Sequence, residues 1–146
     1  MVLKEMGLQP LIIDINDDIL ETFIAKEGDY RSRGIALQIL KNRQETNTTG
    51  IIVEFYAKPA DGKVYMVTAE EKDTTKGMYE IIYPTSILQP GIVKCEIRLV
   101  NQEDDEIITT KQFELKVYSS IANDDIFEGV DVEPLIEVLT KAARNE

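Results

Sequence analysis

Six consecutive residues, Asn101 to Glu106 (NQEDDE), bring four carboxylates into one short stretch. Two chemistries use carboxylates so placed. A calcium loop spaces its oxygen ligands and takes a glycine for its sharp turn. NQEDDE has no glycine, so it reads as a solvated hairpin turn. A glycoside hydrolase holds two carboxyl groups across a cleft, and nothing in the sequence sets two of them so. Asp124 and Asp125, in IANDD, read as part of an acidic linker. Cys95 is the one cysteine, so no intrachain disulfide can form. It lies in GIVKCEIRLV, where Val93, Cys95, Ile97 and Leu99 share a face, which makes it a buried, inert thiol. The chain has no histidine, so Ser-His and Cys-His relays and imidazole metal ligands are excluded. Asn47 opens an NTT sequon that has no meaning without secretion, and no glycine-rich phosphate loop is present. The sequence therefore predicts no catalytic, cofactor-binding or metal-ligating residue. Without tryptophan, the surface best suited to stack a sugar would be Tyr56, Tyr65 and Tyr79, taken as facing outward on their strands.

A polar knot stands out between two apolar runs. Residues 26–33, KEGDYRSR, carry five charges in eight positions. Gly28 and Asp29 suit a tight turn between strands. Lys26, Glu27, Gly28, Asp29, Tyr30, Arg31 and Arg33 then form either a plain turn or a docking loop, with Arg31 and Arg33 as the anchors, since arginine is favoured at interfaces.

The elements that would position these residues are strands. Alternation with period two dominates the chain. Ile35, Leu37 and Ile39 share a face in GIALQILK, and so do Ile51, Val53, Phe55 and Ala57 in IIVEFYAK. Asp61-Gly62 signals a hairpin, with KVYMVTAE as the return strand. In KGMYEIIYP a strand starts after Gly77 and stops at Pro84, TSILQPG makes a turn or a single helical turn, and IITTKQFELKVYS turns Phe113, Leu115 and Val117 inward. Two earlier strands fall around residues 11–15 and 21–25. About eight short strands with turn residues between them predict an antiparallel sandwich over residues 1–120.

Residues 121–146 differ. An acidic linker leads to VEPLIEVLTKAARNE, a helix that Asp131 can cap and that Pro134 can open. Val132, Leu135, Ile136, Leu139 and Ala143 form its apolar stripe. A helix of about 14 residues is marginal alone in water, so it must dock on the sandwich or associate with copies of itself.

The net charge of −11 argues against nucleic acid and anionic membrane as partners. No run reaches the roughly 18 apolar residues of a membrane helix. The N-terminus lacks the apolar core of a signal peptide, so synthesis in a cytoplasm without export is expected.

The order of these features resembles the N-terminal domain of the upper baseplate protein family of phages of Gram-positive bacteria. The matching residues are Gly28-Asp29, Thr49-Gly50, Phe55-Tyr56-Ala57, Asp61-Gly62, Lys76-Gly77, Leu88 with Pro90-Gly91, and Phe113, across roughly residues 10–118. The resemblance implies an immunoglobulin-like sandwich followed by a helix, acting as a non-enzymatic virion component without cofactor. Such a domain would be assembled in the host bacterial cytoplasm and would anchor receptor-binding apparatus to the tail baseplate. Its partners would be other baseplate and tail proteins and, through the C-terminal helix, two further copies in a homotrimer. Family members usually continue beyond this length, so the chain is either an N-terminal piece or a short relative without the receptor-carrying part. The alternative is a carbohydrate- or host-receptor-binding module of the same fold.

Overall fold

The computed structural model describes residues 2–15 and 17–121. The expected C-terminal helix, with Val132, Leu135, Ile136, Leu139 and Ala143, lies outside the described residues.

Strands are the main regular element of the described residues. One helical turn, Lys4–Gly7, precedes β1 (Leu8–Asp14), β2 (Thr22–Lys26), β3 (Gly34–Lys41), β4 (Gln44–Glu45) and β5 (Ile51–Lys58). β6 (Tyr65–Thr68), β7 (Glu70–Asp73), β8 (Met78–Ile82), β9 (Gly91–Asn101), β10 (Glu106–Thr109) and β11 (Phe113–Tyr118) follow. The expected TSILQPG turn is a 3-10 turn at Thr85–Ile87.

The strands form two mixed sheets. In the first the order is β1-β3-β8-β7, with β4 also on β3; in the second it is β2-β11-β9-β5-β6, with β10 also on β9. Two pairings are parallel, β1 with β3 and β2 with β11. This corrects the expected all-antiparallel arrangement. The physical reason is the path of the chain: β2 crosses to the second sheet before β3 returns to the first. A crossover of that kind lets β1 and β3 run the same way. Alternation reports which face of a strand is buried, and is silent on the direction of its neighbour.

The strand count also exceeds the expected eight, because two expected strands are interrupted and the short β4 is added. The return strand after Asp61-Gly62 breaks at buried Ala69, whose N–H donates to the Val53 carbonyl at 2.8 Å. It pairs with β5 before that point and with β8 after it, so one continuous segment belongs to both sheets. The last expected strand breaks at Thr110. There the Ile97 N–H donates to the Thr110 hydroxyl at 3.0 Å in place of a carbonyl.

The core lies where the alternation put it. Ile35, Leu37, Ile39 and Ile81 from the first sheet, and Val53, Phe55, Val93, Ile97 and Leu115 from the second, join one buried cluster. Each such side chain contributes roughly 1.5–3 kcal/mol on burial. Aromatic rings link the parts: Phe113 meets Phe23 edge-on at 5.4 Å, and Phe55 of β5 lies 5.8 Å from Tyr83, just past β8.

Candidate functional site

Residues 26–33 fold into a closed loop between β2 and β3. The Asp29 carboxylate organises it. Oδ2 accepts from the Lys26 N–H at 2.8 Å and from Arg33 Nε at 3.0 Å, while the Asp29 N–H donates to the Lys26 carbonyl at 3.1 Å. Asp29 thus acts as its own turn-former, as aspartate does where its side chain can mimic backbone. Gly28 takes φ 92°, which a residue with a Cβ rarely adopts.

The body of the domain braces the loop on three sides. The Glu27 N–H donates to the Tyr118 carbonyl at 2.9 Å, extending the β2–β11 pairing, and the Tyr83 N–H donates to the Arg33 carbonyl at 2.9 Å. Gly7 sits so close that a Cβ there would lie 1.7 Å from the Ser32 carbonyl oxygen. What the loop presents outward is Tyr30, 57% exposed, with the Arg31 guanidinium 5.0 Å from the centre of its ring. Arg31 adopts φ 54°, a left-handed conformation that costs a non-glycine residue about 1–2 kcal/mol. Of the two expected anchors, Arg31 is exposed and touches only its neighbour's ring, and Arg33 is engaged inside the loop by Asp29.

The tyrosine platform is not formed. Tyr79 is 2% exposed, and its hydroxyl lies 2.8 Å from the Thr48 hydroxyl and donates to the Ile51 carbonyl at 3.0 Å. Tyr65 packs against the core, and its hydroxyl donates to Asp61 at 2.7 Å. Tyr56 alone of the three stands on the outer face of the second sheet, under the Arg98 guanidinium at 4.7 Å, with its hydroxyl donating to Glu54. The expectation of three outward rings is therefore corrected. Alternation in MYEII sends Tyr79 inward with Ile81, and the ring is accepted there because its hydroxyl finds partners.

The expected acidic linker with Asp124 and Asp125 lies outside the described residues, and NQEDDE and Cys95 keep their bland readings. Residues 102–105 are the turn between β9 and β10, with Asn101 Nδ2 donating to Asp104 at 3.1 Å. Asn47 Oδ1 accepts from the Thr49 N–H and hydroxyl. Cys95 is 1% exposed, and burial pushes its thiol up to about 12, far from the range of a reactive thiolate. Among the described residues no three His, Cys, Asp or Glu side chains are grouped to hold a metal ion, and no helix is long and apolar enough to cross a membrane.

Two features escaped the sequence reading. Gln9 of β1 caps the outer edge of β2, donating to the Thr22 carbonyl at 3.2 Å and accepting from the Ile24 N–H at 3.0 Å. Asp61 ties the β5–β6 loop to the Ser86–Gln89 turn, accepting from Gln89, Tyr65 and the Lys63 N–H. Neither contact leaves a local signal, because each joins residues separated by 13 or more positions.

Two mixed sheets share one core, and a braced polar loop stands at one end. The profile of the BppU N-terminal domain matches residues 12–142. The chain belongs to that family, which comprises structural domains of phage baseplates and is not an enzyme family. Among solved structures, the N-terminal domain of phage TP901-1 ORF48 is similar with a TM-score of 0.62 at 18% identity, over 77% of this chain and 99% of that one. CopC from Methylosinus trichosporium OB3b gives a TM-score of 0.38 at 13% identity, over 58% of this chain and 74% of that one. The second likeness is too weak to support an argument. No curated protein matches the chain.

Proposed function

We propose that this domain is an immunoglobulin-like sandwich that anchors receptor-binding apparatus to the tail baseplate of the virion by protein–protein contacts. The observation that carries this reading is the loop at residues 26–33, held by Asp29 and braced on three sides while it lifts Tyr30 and Arg31 into solvent. A loop fixed before contact loses little entropy on docking, and an arginine stacked on a tyrosine is a frequent anchor at interfaces. The partners are other baseplate and tail proteins. The apolar stripe of Val132, Leu135, Ile136, Leu139 and Ala143 associates with its copies, so that the domain works as a homotrimer. Assembly takes place in the host cytoplasm.

Light scattering on the full chain tests the assembly. A trimer that falls to monomer in the Leu135→Asp, Leu139→Asp double variant supports it, and a monomeric full chain removes the trimer from the reading. Binding to the phage's own purified baseplate proteins, measured by surface plasmon resonance, tests the loop. Arg31→Ala and Tyr30→Ala are each expected to weaken it by about 2 kcal/mol or more. Unchanged affinity would mean that the loop only turns the chain.

A further inference from the structure

Near the β9–β10 hairpin the core-side face of the second sheet is only half-buried, at Ile51 and Leu99. A groove of about 440 Å³ lies there, lined by Thr48, Ile51, Leu99, Ile107 and Ile108, with Asn101 and Glu106 at its end. Ile107 and Ile108 are 57% and 51% exposed. β10 pairs with β9 on one side, and among the described residues no strand pairs with its other edge.

That edge lacks the guards carried by β1, β2 and β7, as does β6 (YMVT) at the far edge of the same sheet. Exposed strand edges invite pairing with other chains unless charge, proline or a cover blocks them. β1 carries Pro10, β2 is capped by Gln9, and β7 is the charged run EEKD. β10 reads EIIT, and its two β-branched apolar residues are exposed among the described residues.

The surroundings indicate what would bind. The hairpin tip holds Glu103, Asp104 and Asp105, and Glu106 begins the strand. Past the other end, Lys111 is already paired with Asp18 at 2.6 Å. The apolar edge therefore has a strongly acidic end at the hairpin tip and a neutral ion pair past its other end. A second copy would bring the same carboxylates and a further net charge of −11, and this chain's residues 122–131 are acidic as well.

We propose that the β10 edge and the groove beneath it form a docking site for an extended segment of another protein, apolar at alternate positions and flanked by lysine or arginine. Such a segment adds a strand beside β10, and its alternate side chains line the rim of the groove beside Ile108. Its cations meet the carboxylates of the hairpin tip. This site lies at the opposite end of β9 from the loop at residues 26–33, about 30 Å away, and does not depend on the role of that loop.

The test uses the full chain and a fluorescein-labelled synthetic peptide, Lys-Lys-Val-Thr-Val-Thr-Val-Lys-Lys, followed by anisotropy. Saturable binding is expected, weakened about tenfold or more by Ile108→Lys, by N-methylation of the peptide's central amides, and by raised salt. The N-methylated peptide keeps the test independent of how well the variant folds. Arg31→Ala should leave this binding unchanged, which separates the site from the docking loop. Three results would overturn the proposal: no binding, or binding indifferent to Ile108→Lys and to N-methylation; a dimer in light scattering that Ile108→Lys dissociates, which would make the edge a contact between copies; or binding that appears only in the Leu135→Asp, Leu139→Asp variant, which would mean that the chain's own tail covers the groove.

Discussion

Tyr79 places a hydroxyl inside the core, where an unpaired polar group would be costly. Around it lie the Thr48 hydroxyl at 2.8 Å, the Ile51 carbonyl at 3.0 Å and the Thr48 carbonyl at 3.3 Å, and the Thr48 hydroxyl, in a residue 6% exposed, also lies 3.0 Å from the Thr74 carbonyl, so two hydroxyl protons are shared among these oxygens. These bonds pin the segment before β5 to β8 and to the turn at Thr74–Lys76. Tyr79→Phe keeps the ring and removes the bonds, leaving buried acceptors short of a donor. The expected loss is about 1–2 kcal/mol in urea unfolding, with faster hydrogen exchange in residues 46–50. A variant as stable as the parent would show that the hydroxyl bonds add nothing net.

At the scale of elements, the contacts that matter join segments distant in sequence. The Gln9 side-chain amide behaves toward β2 as a peptide group of a neighbouring strand would, and so covers an edge. Gln9→Ala is expected to cost about 0.5–1.5 kcal/mol and to speed exchange of the Ile24 amide, read by NMR. Protection that survives the change would mean that something other than Gln9 guards the edge. The Asp61 link works through charge. Hydrogen bonds from Gln89, then Tyr65, then the Lys63 N–H favour the ionised carboxylate and hold its titration below the ordinary value of 3.8. A group lowered in this way stabilises the fold above its unfolded pKa, and loses that contribution as pH falls through the lower folded value. The difference in melting temperature between the parent and Asp61→Ala should therefore be largest near about pH 6 and shrink toward about pH 3. A difference independent of pH would assign the effect to loop packing and not to the charge.

Across the whole molecule, one core serves both sheets. Phe55 is 1% exposed and lies within reach of both Tyr83 and Phe113. Phe55→Ala is expected to cost about 3–5 kcal/mol, and the loss should appear in one transition, with far-UV and near-UV signals changing together. Separate transitions would mean that the sheets are stabilised independently. The same size of effect is not expected at Ile107 or Ile108, whose exposure leaves little buried area to lose.

The sequence by itself determined which residues point inward. Val53, Phe55 and Ala57, Val93, Cys95 and Ile97, and Phe113, Leu115 and Val117 are all buried as their alternation requires, because a pleated strand sends successive side chains to opposite faces. Its lack of histidine left no imidazole for a relay or a metal ligand, and its single cysteine left no intrachain disulfide. It marked the polar loop at residues 26–33, from the Gly-Asp pair and the density of charge. Only the tertiary structure decided which arginine that loop exposes, because the Asp29–Arg33 contact forms once β2 and β3 fix the loop's ends. It also decided that β1 and β2 run parallel to their neighbours, that Ala69 carries one segment from sheet to sheet, and that Tyr79 is inside. Each depends on which strands meet in space, and alternation within a strand carries no record of its neighbours.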